Sequence, residues 1–470
     1  MKFQHLSHKL STIVTSVIPL PLRSKTRSIL KWIFICCIIR IILMPIFSHS
    51  DLTTTLWISF TWITKNQLIL SNDPPAIFFV LSGFYRLMMP FFSQSFLNHI
   101  TSGTAFTPNT MLPVTALIQP GINTVLLIAK LPFLFLDIAS AFLMLHLFKD
   151  SLKGFTAFKM WLLNPVSIFV SYVFGQYDIF AVFFIILALL QLKKKRFGWS
   201  MLSLGVASSF KVIGIAMMPL IVIYYFKDHR GENLWGNIVK LFRVTLPGLL
   251  PMLFFLIVNS GVSQYYESVN YALPRGDLFN GFFGTMFYTR GTAAQPFFSG
   301  ILTFLTDFSI SFSTYLSTGT VYLVPFFYIL VLLLTYYSKS LTFEKICGYF
   351  TIFLLSYYAF SLFLPQWFLW IQPFLILLAV ENRKVFHKLN LALIPLYFIY
   401  IWQWDSGLTT NLLTPLTSHA LFWPGPLTLI NSAGLQATQI VGVFRTIFSA
   451  ICVFIAFMIT KTSIWAAKES

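Results

Sequence analysis

Charged side chains are few in this sequence, and acidic ones are fewest. They make up 10% of the 470 residues, with 14 Asp and Glu against 32 Lys and Arg, and no acidic residue precedes Asp51. An ordinary soluble domain carries about 25% charge. A chain that is 57% hydrophobic with a mean hydropathy of +0.78 cannot hide its apolar surface in a water-soluble globule. Cysteine is also sparse. Cys36, Cys37, Cys347 and Cys452 lie in apolar runs or at their edges, with no C-x-x-C pair and no His spacing suited to zinc. They read as compact packing residues, and a disulfide framework is not expected. Internal repeats and low-complexity tracts are missing, which argues against the duplicated halves of many secondary transporters.

What the sequence does have is a succession of apolar runs long enough to cross a bilayer. They follow one another too closely for separate soluble cores. The expectation is one integral membrane domain over 1–470, an all-α polytopic bundle of about 12 spans. Spans are expected near 32–48, 121–148, 160–175, 178–192, 199–210, 213–226, 244–260, 317–337, 345–363, 367–380, 389–403 and 439–460. The pair at 199–210 and 213–226 reads either as one long span or as a hairpin of two broken helices. Segments 49–120, 261–316 and 404–438 are expected outside, with short re-entrant or interfacial helices, one of them at 76–92. Residues 1–31 read as a basic cytoplasmic tail with an interfacial segment at 10–22, leading into an uncleaved signal anchor.

The net charge of +18 raises the question of nucleic acid, and the placement of the basic residues answers it. Of the 32 Lys and Arg, 24 fall in the tails and in the short loops at 149–159, 193–197, 227–243, 338–345 and 381–388. Only Lys65, Arg86, Arg275 and Arg290 fall in exterior segments. This asymmetry is the positive-inside pattern of a membrane protein with both termini in the cytoplasm, here assigned to the cell membrane of a prokaryote. Nucleic acid is not expected as a partner. Arg40, Lys130, Lys211 and Arg445 fall within expected spans, where a charge needs a partner or a water-lined cavity.

The polar residues that could carry chemistry gather on the exterior side. Asp51, just past the first span in SHSDLTTTLW, is placed either to take a proton from an acceptor hydroxyl or to cap a helix. Asp73 in the turn Asn72-Asp73-Pro74-Pro75 is a weak metal candidate beside a purely structural reading. Lys130 and Asp137, seven apart, share one helical face, and the Asp must find an interior partner, for packing or for substrate. Asn164-Pro165 interrupts a span, and Gly175-Gln176-Tyr177-Asp178 forms an exterior turn. There Gln176 can bond sugar hydroxyls and Asp178 can cap the next helix. Lys211 stands at the hinge of the hairpin, poised to neutralise a lipid phosphate or to snorkel. Pro365-Gln366-Trp367 makes another exterior turn, and Arg275 and Arg290 are further phosphate candidates.

These stretches, in this order, resemble the GT-C superfamily of polytopic glycosyltransferases. The resemblance is to the branch related to the second mannosyltransferase of GPI-anchor assembly and its prokaryotic relatives. It is carried by Asp51 followed by Trp57, the NDPP turn, KLPFLFLDIASAFL, LLNP then GQYD, SSFK with Lys211, and LPQWFLWIQPF, over roughly 40–380. It implies inverting transfer of a hexose from a polyprenyl-phosphate sugar to a lipid, glycan or protein acceptor on the non-cytoplasmic face. On this chain Asp51 is then the general base. Lys211, with Arg275 or Arg290, holds the donor phosphate, and Gln176 and Gln366 lie near the sugar. The late motif here lacks the His and Glu common in such relatives, so the need for a divalent cation and the identity of the sugar stay open. A secondary transporter or lipid flippase is the alternative that in-span charges also fit.

Overall fold

The computed structural model describes residues 25–66, 76–102, 115–148, 150–229, 234–267, 309–313, 318–381 and 385–461. The described chain is helical throughout except for an antiparallel hairpin of two strands, Ser309–Ser313 and Thr318–Tyr322, which the sequence reading did not foresee. Five helical stretches are long and apolar enough to cross a membrane: Ile122–His146, Ser151–Phe174, Trp235–Phe254, Val385–Leu408 and Ala437–Lys461. The stretch Trp235–Phe254 turns large apolar side chains outward, with Trp235 at 74% exposure and Phe242 at 64%, as a lipid solvent allows, whereas Ser151–Phe174 is mostly buried within the bundle.

The first helix, α1 (Thr26–Leu43), ends in a short loop that leads into α2 (Ser50–Lys65). Helices α3 (Ala76–Met88) and α4 (Gln94–Ser102) pack against α2, so the expected exterior segment begins as a compact helical unit. Phe60 anchors it, stacking on Tyr85 and meeting Phe92 edge-on at 4.9 Å. Next come α5 (Ile122–Ala129) and α6 (Leu131–His146), which break at Lys130 ahead of Pro132. Helix α7 (Ser151–Leu162) starts where a basic loop was expected. Asp150 caps it by accepting the amides of Leu152 and Lys153.

The chain then breaks at Asn164. Its Oδ1 accepts from the amides of Val166 and Ser167, and Pro165 opens the short helix α8 (Pro165–Ile168). Residues Phe169–Phe174 widen into a π-helical turn. Helix α9 (Asp178–Lys193) runs back, followed by α10 (Phe197–Phe210) and α11 (Ile213–Asp228), which pack on each other about the hinge at Lys211. The hairpin alternative of the sequence reading is therefore the one observed. Helix α12 (Leu234–Glu267) approaches α10 so closely that a Cβ on Gly205 would collide with the Gly248 carbonyl. Small residues at such a crossing are a common device of membrane helices.

After the strands come α13 (Leu323–Tyr337), α14 (Phe343–Phe360), a 3₁₀ turn at Pro365–Leu369, α15 (Gln372–Glu381) and α16 (Val385–Ile401). Short 3₁₀ turns lead to α17 (Pro426–Ser432) and α18 (Ala437–Lys461). The region 404–438, expected as an exterior loop, is thus ordered into turns. Asp405 pins it by accepting from the Leu427 amide and from Thr428.

Contacts among basic residues define one end of the bundle. Lys25 lies over Phe155, Lys153 pairs with Glu381, Lys193 bonds the Leu147 carbonyl, Lys195 pairs with Asp228, and Lys227 bonds the Ser338 carbonyl. Two of these ammonium groups, on Lys193 and Lys227, meet carbonyls at helix C-termini, where positive charge is favoured. The turns that carry Asp51, Gln176, Lys211 and Gln366 lie at the opposite end of the helices.

Candidate functional site

The GQYD segment is the centre of that opposite end. Gly175 terminates the π-helical turn with φ +85°, and the amides of Gly175 and Gln176 both donate to the Val170 carbonyl. A left-handed residue costs a non-glycine side chain about 1–3 kcal/mol. Here a Cβ would also lie 3.1 Å from Leu52 and 3.5 Å from Lys130, so glycine serves both the turn and the close approach of α2.

The next three residues each bind a different distant element. Gln176 donates from Nε2 to Asp51 Oδ2 at 2.7 Å, tying the turn to the first turn of α2. The Tyr177 hydroxyl accepts from Lys211 Nζ at 3.0 Å, and the ammonium sits 4.3 Å from the ring centroid. Asp178 Oδ1 accepts from Trp370 Nε1 at 2.8 Å, just after the 3₁₀ turn that carries Gln366. One four-residue turn thereby gathers polar groups from three distant stretches of chain.

Asp51 stands in the first turn of α2, where the helix dipole favours a carboxylate. Its side chain is 40% exposed, against 0% for Asp137 and full burial of Asp178. Of the candidate carboxylates described, Asp51 is the one that solvent or a ligand can reach. The residue two before it, His49, caps the helix: its Nδ1 accepts the Asp51 amide at 3.2 Å and lies 3.2 Å from Asp51 Oδ1.

The Pro365-Gln366-Trp367 turn is braced by phenols. Tyr397 donates to the Pro365 carbonyl at 3.0 Å and Tyr358 to the Trp367 carbonyl at 2.5 Å. Trp367 stacks on Trp370 with ring centroids 5.3 Å apart. Gln366 is buried within the turn, and its Oε1 has no hydrogen-bond partner among the described residues. Behind the turn, Asn164 donates to Gln372 Oε1 at 3.0 Å and links the start of α8 to α15.

Asp137, a candidate on sequence, and Lys130 both lie inside the bundle as fastenings. Asp137 is fully buried and accepts from Arg40 at 2.7 Å, Trp161 at 2.8 Å, Tyr172 at 2.9 Å and Ser167 at 3.1 Å. Its surroundings offer substrate no access, so the packing alternative describes it. It does not pair with Lys130, because Pro132 and the break at Lys130 reset the helical face that the seven-residue spacing assumed. Lys130 instead donates to the carbonyls of Met44, Phe47 and Tyr172, locking the end of α1 to the π-helical turn. Arg445 acts likewise on the carbonyls of Tyr358 and Ser361 at the end of α14. Lys211 differs from Arg40, Lys130 and Arg445 by reaching a side chain of the GQYD turn itself.

Asp73, Arg275 and Arg290 lie outside the described residues. Among the described residues no three His, Cys, Asp or Glu side chains converge as a metal site would need. Sequence reasoning missed His49, whose signal was its place two before Asp51, and Trp370, which gave no polar signal within FLWIQPF. No family model, curated protein or solved structure matches the chain.

Proposed function

We propose that the chain is a multi-pass membrane glycosyltransferase of the GT-C type, moving a hexose from a polyprenyl-phosphate sugar to an acceptor on the non-cytoplasmic face. The observation that carries this reading is the partly exposed Asp51 carboxylate, aimed by Gln176 at the hub of the GQYD turn. A general base needs access to the acceptor hydroxyl and a fixed orientation. Asp51 has both.

In this mechanism Asp51 takes the proton of the acceptor hydroxyl while its oxygen attacks the anomeric carbon of the donor. The bond from that carbon to the phosphate oxygen breaks on the opposite side, inverting the centre. The Lys211 ammonium, held by Tyr177, neutralises the charge on the leaving lipid phosphate, as fixed cations do for such groups. Arg275 or Arg290 is assigned the same task from the long exterior segment. Gln366 offers its carbonyl oxygen to a sugar hydroxyl, and Asp178 with Trp370 keeps that turn against the hub. Gln176 acts chiefly by orienting Asp51, with its remaining amide atoms toward the sugar. In the bilayer the basic end faces the cytoplasm and about 12 spans cross, following the positive-inside pattern.

Membranes containing the protein, incubated with labelled polyprenyl-phosphate hexoses and a lipid extract, test the reading. Label should pass covalently to a new acceptor with loss of the lipid phosphate. If labelled donor crosses the bilayer intact with no transfer for any hexose, the protein is a flippase and the proposal fails.

A further inference from the structure

We propose that Lys130 is a positioning residue for the site: its ammonium sets the register in which the segment carrying Asp51 meets the GQYD turn. The proposal rests on the reading of Asp51 as the base.

The two segments run in step. Phe47 and Tyr172 meet across Lys130 Nζ, which donates to both of their carbonyls, to the second at 2.9 Å. Two residues on, the His49 amide donates to the Phe174 carbonyl at 3.2 Å. Two residues further, Gln176 Nε2 donates to Asp51 Oδ2 at 2.7 Å. All three pairs keep the offset of 125 residues, so they are rungs of one short ladder that ends on the base. The first rung differs in kind from the others. The Phe47 and Tyr172 carbonyls are both acceptors, and a donor with several hydrogens is what joins them. An ammonium has three. Lys130 gives the third to the Met44 carbonyl at 3.0 Å, at the C-terminal end of α1, where positive charge is favoured. Every donor is thereby used, which is how a fully buried ammonium is tolerated within a span.

The break between α5 and α6 puts the lysine there. Lys130 caps both helices, with Pro132 just inside the second. Its stem runs beside the hub, where a Cβ on Gly175 would lie 3.5 Å from Lys130 Cε. The loop it grips is otherwise tied to different elements. Asn123 donates to the Pro45 and Pro415 carbonyls at 2.8 and 3.3 Å, and the Ser48 amide donates to the Leu412 carbonyl at 3.0 Å. Those bonds hold the loop to the turns at 410–415, whereas the Lys130 rung draws it to the π-helical turn. Without the ammonium, the Phe47 and Tyr172 carbonyls lose the group that joins them and move apart. Asp51 then shifts against GQYD while the surrounding helices stay packed.

The test uses full-length protein in nanodiscs. The double substitution His49→Cys with Phe174→Cys reports on the middle rung, because the two ring centroids are 5.0 Å apart and the rung itself is made by backbone. The disulfide, mapped by peptide mass, should form about 10-fold more slowly once Lys130→Met is added, since the bond demands close and well-aligned partners. An unchanged rate overturns the proposal. A second arm measures sugar transfer with His49 and Phe174 intact. Lys130→Met should lower kcat roughly 10- to 100-fold, as a misplacement of about 1 Å does, with donor KM within about 3-fold of the wild type. A raised KM at unchanged kcat, or a wild-type rate, overturns the proposal. If Lys130→Met does not accumulate, Lys130→Gln replaces it in both arms. Its amide nitrogen ends one bond short, serving one segment but not both, and the same outcomes decide. If the wild type transfers no sugar, the assignment of Asp51 as base fails, and the disulfide rate still decides whether Lys130 sets the register.

Discussion

At Gly175 a positive φ and a tight approach by Leu52 coincide, so alanine there should cost about 1–3 kcal/mol from backbone strain alone. Thermal unfolding of the detergent-solubilised variant measures it, and an unchanged midpoint would mean the turn adjusts freely. Gln176 makes a different demand. Its bond to Asp51 at 2.7 Å is charge-assisted, and its loss in Gln176→Ala should lower the transfer rate by roughly 10-fold, the effect of about 1.4 kcal/mol. Acceptor KM should change little, since the amide acts on the base. A variant as fast as wild type would show that Asp51 needs no such orientation.

Among the helices, the deepest fastening is the Arg40–Asp137 pair between α1 and α6, with both side chains fully buried. Breaking one partner of a buried pair strands the other, at a cost of about 3–5 kcal/mol. Arg40→Met should therefore accumulate poorly. Arg40→Met combined with Asp137→Leu should recover much of the loss, whereas a double variant no better than the single would point to a role for Asp137 beyond packing. Much at this scale was legible in the sequence. The hairpin about Lys211, one of the two readings of 199–226, the helix expected at 76–92 and observed over Ala76–Met88, and the turn at GQYD all follow from apolar runs punctuated by polar residues. Other elements were hidden for identifiable reasons. The span expected at 160–175 begins at Ser151, because Lys153 and Lys159, loop-like by charge, ride on a helix capped by Asp150. Helix α2 was hidden by its threonines, several of which return their hydroxyls to carbonyls three or four residues back. The partners of Asp51 and Asp178 come from 125 and 192 residues away, and no local pattern announces such pairings.

For the whole molecule, the separation of the basic contacts from the polar turns is what the proposed topology requires. Lys195 and Lys65 should then lie on opposite membrane faces. Cysteine placed at 195 should react with an impermeant maleimide only from the cytoplasmic side, and cysteine at 65 only from the outside. Labelling of both from one side would refute the arrangement. The same architecture gathers Asp51, Lys211 and the Gln366 turn around GQYD, and the account turns on Asp51 being the base there. The most direct measurement compares sugar transfer and donor binding by the wild type and Asp51→Asn in the same nanodiscs. Transfer should fall by about 100-fold or more, the usual effect of losing a general base, while donor affinity stays within about 3-fold. A variant that binds the donor and transfers sugar at the wild-type rate would contradict it.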